Sequence, residues 1–211
     1  MMLECEELNV LELKKIHLSG YFKWRRILDF AVLIPMIPVL IPFILIISII
    51  LYFEQKGNFI YTQIRAGYLE KPFLIYKFKT MIDCNFDEIN YLYHNTNRET
   101  KFGSFLRKHR FDELPQLLNI IIGDMSLIGP RPEAYCHYTF FAEKIENYNM
   151  RKLVVPGLTG WAQINYPHAI SVTETAERLE YDLEYINNAN LYIDIKIIFR
   201  TIIQMFTGNN S

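Results

Sequence analysis

The stretch "RFDELPQLLN", Arg110 to Asn119, places two carboxylates, Asp112 and Glu113, side by side shortly before Pro115. Adjacent residues of a helix point about 100° apart at ~3.6 residues per turn, so one carboxylate can face a ligand while the other supports it from the side. With Asp112 as the N-cap of "ELPQLLNII", Pro115 falls in the first turn, where its missing donor costs nothing. Both acids then stand at the positive end of a helix dipole, a place that also attracts phosphate. An isolated Asp-Glu pair in this position would ordinarily do no more than cap. The surroundings add cations: Arg107 lies upstream, Arg131 is clamped between prolines in "GPRP", and Lys79 closes "YKFK". Several fixed cations near two carboxylates suit a diphosphate substrate and a divalent metal. A carboxylate near Arg and Mg²⁺ stays ionised, as a nucleophile must.

The elements that have to hold these groups follow the apolar periodicity. "NFIYTQI" and "FLIYKFK" alternate and read as strands joined through Gly67 and Pro72. "KFGSFLRKH" reads as a short helix, and "DELPQLLNII" as another that ends near Gly123. Pro132 suits the first turn of a helix through about Asn147, and "VVPGLTGWAQIN" reads as a turn and a short strand. Ser171 and Glu174 form a capping-box pattern ahead of a helix whose buried stripe includes Leu179, Leu183 and Ile186. The final "LYIDIKIIFRTIIQMF" predicts a helix, either in the core or in a bilayer interface. The expected class is α/β, mostly helical with a few short strands.

Composition narrows the ligands. The 211 residues suit one compact domain with an appendage, and 51% apolar residues allow a core. A net charge of −1 argues against a nucleic-acid binder with one large basic surface. Between Arg98 and Arg110, five basic residues face only Glu99, a local charge better matched to a phosphorylated ligand than to a polymer. Cys5, Cys84 and Cys136 form no CxxC pattern, so neither zinc nor a disulfide framework is implied.

From Phe30 to Phe53 run 24 residues without a charge, enough for a membrane span of ~20 residues. Pro35, Pro38 and Pro42 interrupt it, each removing a helix donor. A break near Pro42 would leave two pieces too short to cross, and a helix–break–helix that enters and leaves by one face becomes an alternative to a kinked single span. Basic residues at both ends, Lys23, Arg25 and Arg26 before and Lys56 and Arg65 after, agree with both flanks being cytosolic. Physical reasoning alone leaves both courses open.

"KFKTM", "DELPQLLN", "GDMSLIGPRP" and "PGLTGWAQIN" occur in that order, and "WRRILDF" leads into the apolar segment. Together they resemble the bacterial sugar transferases, monotopic phosphoglycosyl transferases that begin glycan or exopolysaccharide assembly on a polyprenyl-phosphate carrier. The likeness covers about Trp24 to Thr207, and the chain is similar to the small members of that family. It implies an N-terminal extension over 1–23, a re-entrant membrane helix–break–helix over 24–56, and a cytoplasmic catalytic domain with an interfacial last helix over 57–211. It implies transfer of a sugar phosphate from a UDP-sugar to polyprenyl (undecaprenyl) phosphate, with release of UMP. Asp112 maps to the nucleophile and Mg²⁺ ligand, and Glu113 to its acid/base partner. Lys79, Arg107 and Arg131 map to phosphate- or nucleotide-holding positions, and Gln163 to the wall of the same cleft. The implied partners are UDP-sugar, polyprenyl phosphate and inner-membrane lipid, with room for a homodimer and no nucleic acid. Two departures stand out: Ile41-Pro42 replaces the family's Ser-Pro, and Tyr166-Pro167 follows "GWAQIN" where Gly-Arg is common. A metal-dependent hydrolase and a non-enzymatic membrane scaffold are the rival readings of the same residues.

Overall fold

The computed structural model describes residues 20–82, 99–166, 169 and 171–207. Pro167, half of one departure noted above, lies outside them, as do Cys5 and Cys84. The described part is mostly helical with a few short strands. It opens with one long apolar helix, α1 (Gly20–Glu54). An antiparallel hairpin follows, β1 (Ile60–Ala66) and β2 (Pro72–Phe78), with Ile60 opposite Phe78 and Ala66 opposite Pro72. Then come α2 (Lys101–Lys108), a 3₁₀ segment (Phe111–Gln116), α3 (Leu117–Ile122), β3 (Ser126–Ile128) and α4 (Tyr135–Lys144). A second 3₁₀ segment (Tyr148–Leu153) leads to β4 (Gly157–Thr159), α5 (Trp161–Asn165), α6 (Val172–Asn188) and α7 (Leu191–Thr207).

Helix α1 continues through Pro35, Pro38 and Pro42, so the break expected near Pro42 does not interrupt the helical run. In apolar surroundings backbone groups have no water to turn to, which favours keeping every remaining intrahelical bond despite the missing donors. Its stretch from Trp24 to Glu54 is long and apolar enough to cross a membrane, and only 11% of its most apolar window is buried. That exposure separates it from the core helix of a water-soluble fold. Leu33, Ile47 and Leu51 recur on one face and are buried: Leu33 against Phe73, Ile75, Ile120 and Met125, the other two against Phe78 and Leu106.

The foot of α1 is fastened by polar bonds. Asp29 accepts from Ser126 Oγ and from the Leu127 amide, both at 3.1 Å, which ties the helix to β3. The Arg25 guanidinium donates to Ile128 O and lies 3.7 Å from Asp194 of α7. Asp194 in turn accepts from the hydroxyls of Tyr21 (2.5 Å) and Tyr185 (2.7 Å). Apart from the Arg25 Nε, these buried groups satisfy one another, as groups away from water do.

Strands β3 and β4 pair in parallel, Ser126 with Gly157 and Ile128 with Thr159. Their approach requires glycine: a Cβ on Gly157 would lie 1.9 Å from the Gly129 nitrogen. The glycines of "GPRP" and "PGLTG" therefore serve the backbone crossing that aims the intervening residues.

Three local expectations are corrected. "GWAQIN" carries a helix, α5, in place of a strand, since β4 already ends at Thr159. The helix after "GPRP" begins at Tyr135 and ends at Lys144, because Pro132 and Glu133 have their carbonyls engaged with Arg65 and Ala66. The helix of the acidic pair is 3₁₀ before it is α, and its N-cap is Arg110, at φ 57°, in place of Asp112. Asp112 and Glu113 occupy its first turn. The capping box of Ser171 and Glu174 is present in full. In α7, Asp194 and Ile197 are buried, while Tyr192, Ile195, Phe199 and Phe206 form an exposed apolar stripe.

Candidate active site

Three elements bring charge together: β2 supplies Lys77, the 3₁₀ turn supplies Asp112 and Glu113, and the loop after β3 supplies Arg131. Glu113 is buried, and its Oε1 accepts from Lys77 Nζ and from Arg131 Nη2, each at 2.7 Å. Arg131 Nη1 approaches Oε2 at 3.5 Å, so the guanidinium presents a fork to the carboxylate. Lys77 is 14% and Arg131 31% exposed at the side chain, which places the arginine on the solvent side of this triangle.

Each corner is fixed by backbone. Asn119, the last residue of "DELPQLLN", accepts from the Tyr76 amide (3.2 Å) and donates to Leu74 O (2.7 Å). This side chain thereby covers the free edge of β2 and locks the acidic turn beside Lys77. The Arg131 loop is held at consecutive carbonyls. Pro130 O accepts from the Gly157 amide, Arg131 O from Arg151 Nη2, and Pro132 O from Arg65 Nη1, all at 2.9 Å. Arg151 is anchored in turn by Asp182 of α6 at 2.8 Å.

The two carboxylates therefore differ electrostatically. Burial alone would raise the pKa of Glu113, but Arg131 and Lys77 outweigh it and hold the group well below the ordinary glutamate range. Asp112 is pushed up to about 6, first by burial and next by the charge of Glu113, against the pull of Lys77, Arg131 and Arg107. One acid is committed to its counter-ions. The other carries an incompletely balanced charge that a cationic or electrophilic ligand would relieve.

Of the residues expected from sequence, Asp112, Glu113 and Arg131 are brought together. Arg107 lies in the last turn of α2, pairs with Glu99 at 2.5 Å and adds positive potential at Asp112. Lys79 lies just beyond β2, its amide donating to Phe59 O at 2.8 Å, and the lysine that reaches Glu113 is Lys77. Gln163 is buried in α5 and donates to Leu158 O at 3.0 Å, bracing β4. Sequence reading missed Lys77, Asn119 and Arg151. In "YKFK" the strand period puts both lysines on one side, so spacing does not choose between them. The signal for Asn119 was an amide inside an apolar helical run.

Among the described residues no three acidic, histidine or cysteine side chains cluster as a protein-made metal cage. Asp112 nevertheless offers hard oxygen donors, and a Mg²⁺ site commonly takes one or two carboxylates with phosphate and water completing the shell. The donor set fits a metal that arrives with a phosphorylated substrate.

Arg131→Lys keeps the charge and loses the fork. It is expected to lower kcat/KM by about 10–100-fold in the assay described below, because a point charge does not replace a planar two-pronged contact. Wild-type efficiency in that variant would make "GPRP" a structural turn alone.

Comparison with known proteins gives matches along nearly the whole chain. A family model described as bacterial sugar transferase matches residues 20–208. The chain is 37% identical over 210 residues to a UDP-glucose:undecaprenyl-phosphate glucose-1-phosphate transferase of Escherichia coli (strain K12), covering 96% of this chain and 45% of that protein. It is 36% identical over 187 residues to a UDP-N-acetylgalactosamine-undecaprenyl-phosphate N-acetylgalactosaminephosphotransferase of Aeromonas hydrophila, covering 87% of this chain and 44% of that protein. A UDP-glucose:undecaprenyl-phosphate glucose-1-phosphate transferase of Caulobacter vibrioides is 35% identical over 193 residues, covering 89% of this chain and 71% of the relative. The chain thus spans less than half the length of the first two relatives and most of the third.

Proposed function

The chain belongs to the bacterial sugar transferase family, and from that premise we propose that it moves a sugar 1-phosphate from a UDP-sugar to polyprenyl phosphate. The observation that carries this reading is geometric: Lys77 and Arg131, each 2.7 Å from Glu113, already neutralise that carboxylate and leave its neighbour Asp112 as the second acid of the pair beside both cations. A nucleophile needs an electron pair that its neighbours have not fully claimed, and Asp112 has one.

In the first half-step an Asp112 oxygen attacks the β-phosphorus of the UDP-sugar. The bond from that phosphorus to the bridging oxygen breaks, and UMP leaves with the electron pair. In the second, an oxygen of polyprenyl phosphate attacks the same phosphorus and returns the Asp112 carboxylate, giving a lipid diphosphate sugar. Lys77 and Arg131 hold diphosphate oxygens, and Glu113 keeps both cations charged and in place. Arg107 adds positive potential at the entering phosphate. Mg²⁺, held by Asp112, would supply charge neutralisation on the diphosphate. Incubation with radiolabelled UDP-sugars and polyprenyl phosphate tests the reading. Label in the lipid phase with UMP released supports transfer; free sugar phosphate would indicate a hydrolase, and no turnover a scaffold.

The membrane course follows from the same chemistry, since the carrier's phosphate lies at the bilayer surface. We assign α1 to a re-entrant course in which the continuous helix bends at its prolines instead of breaking, with both flanks in the cytosol and the exposed stripe of α7 in the interface. Basic residues on both sides of the apolar run support it. Ser19→Cys and Asn58→Cys, each in a background free of native cysteines, are expected to label only from the cytosolic side. Periplasmic labelling of either would establish a crossing helix.

A further inference from the structure

Helix α2 hands over to the acidic turn through His109 and Arg110. His109 caps α2, its amide donating to Phe105 O at 3.2 Å, and Arg110 takes a left-handed backbone at φ 57°. A residue with a Cβ is strained in that conformation and keeps it only where its surroundings fix it. The bend matters for the site. It sets Arg107, in the last turn of α2, against Asp112 and Glu113, whose turn opens as the Glu113 amide bonds Arg110 O at 3.2 Å.

His109 supplies the fixing contacts. Its Nδ1–H donates to the carbonyl of Met205 at 2.6 Å, 96 residues along the chain in the last turn of α7. That carbonyl is one of the four at a helix C-terminus that no intrahelical amide reaches, so the imidazole caps α7 while tying it to the hinge. The ring lies 4.8 Å from that of Phe105, before the hinge, and stacks at 5.8 Å on that of Phe111, after it. Phe111 in turn meets Phe43 of α1 edge-on at 5.0 Å, next to Pro42. One imidazole thus touches both sides of the strained residue and the end of α7, and the residue after Phe111 is Asp112.

We propose that His109 is a positioning residue for the acidic pair. Its bond to Met205 O clamps the end of α7 onto the hinge and holds Arg110 in the left-handed bend that sets Asp112 relative to Arg107. It acts through Arg110 and not by contact with substrate. The last helix, assigned to the interface, is thereby part of the frame that aims the nucleophile. The kinetic side of this inference rests on the transferase reading, whereas the clamp itself does not.

The test uses the full chain in nanodiscs and two substitutions of one ring. In His109→Asn the amide nitrogen takes about the place of Nδ1 and donates to Met205 O, whereas in His109→Gln it takes about the place of Nε2 and points away. Hydrogen–deuterium exchange without substrate should run about tenfold faster over 110–116 in His109→Gln, the order expected for one lost hydrogen bond. Exchange over α6 should stay at the parent rate, and His109→Asn should resemble the parent throughout. With UDP-sugar and polyprenyl phosphate, kcat for UMP release should fall about 10–100-fold in His109→Gln, since a small displacement of a reacting group is felt on that scale. KM for UDP-sugar should stay within about twofold, because Lys77 and Arg131 are held by other contacts. His109→Asn should restore most of the lost kcat. Faster exchange confined to 203–207 would leave His109 a cap of α7 alone, and an equal rise over α6 a general stability residue; either overturns the proposal. A parent-like kcat in His109→Gln, or no restoration by His109→Asn, overturns it equally. A parent chain that releases no UMP would remove the transferase reading, and the exchange measurement would still decide the clamp.

Discussion

Asp112→Asn is expected to lower lipid-linked product and UMP release by at least about 10³-fold, the scale on which loss of an enzymatic nucleophile is felt. An amide lacks the anionic oxygen that would attack phosphorus, yet it fills the same volume. In the parent protein, single-turnover trapping with UDP-sugar should leave a sugar-phosphate mass on the peptide containing Asp112. An adduct on Glu113, or none at all, would sink the assignment. The pH profile follows from the same environment. The reactive form is deprotonated, so UMP release should rise tenfold per pH unit below about 6 and level off above it, in line with the raised pKa of Asp112. Stability should run in the opposite direction. The folded pKa exceeds the unfolded value of 3.8. The native state thus binds extra proton between these values and loses stability as pH rises through that window. At neutral pH the aspartate carries that cost in full. Asp112→Asn should therefore unfold at a higher temperature than the parent above pH 6, and at nearly the same temperature below about pH 4. A variant that is inactive but no more stable at neutral pH would indicate that the aspartate is well solvated.

Glu113→Gln is the second large effect, and it should appear in stability as well as in turnover. The carboxylate is buried between Lys77 and Arg131, each 2.7 Å away. Removing one partner of a buried pair leaves uncompensated charge, typically about 3–5 kcal/mol, and here two cations are left facing each other. The unfolding midpoint should fall by roughly 5–15 °C. Turnover should drop at least about 10²-fold, since the cations that would clamp the diphosphate are no longer held in position. The resemblance implied an acid/base role for this glutamate, whereas the geometry favours a fixed counter-ion, because Lys77 and Arg131 keep it ionised far below neutral pH. The two roles separate in one experiment. A proton-transfer role would add an ionisation to the pH profile of turnover that Glu113→Gln removes, whereas a counter-ion role leaves the shape of that profile unchanged.

The sequence by itself determined where the acidic pair stands and much of the frame. The pair in "RFDELPQLLN", the clamped arginine of "GPRP", the hairpin, the capping box at Ser171 and the apolar run are local patterns. They rest on spacing, turn chemistry and composition within a few residues, and tertiary contacts had no cause to override them. The serial order of four motifs also carried the family, which the match over residues 20–208 bears out. Tertiary structure decided what depends on partners distant in the chain. It selected Lys77 over Lys79, since both share a strand face and only the docking of the 3₁₀ turn determines which one meets Glu113. It made "WAQIN" a helix, because β4 is consumed by pairing with β3 over three residues. It split the two adjacent acids into a neutralised counter-ion and a carboxylate of raised pKa, since a side chain's pKa follows the charges and burial around it. Those charges come from Lys77 and Arg131, 36 and 18 residues away along the chain, and only folding brings them to the pair.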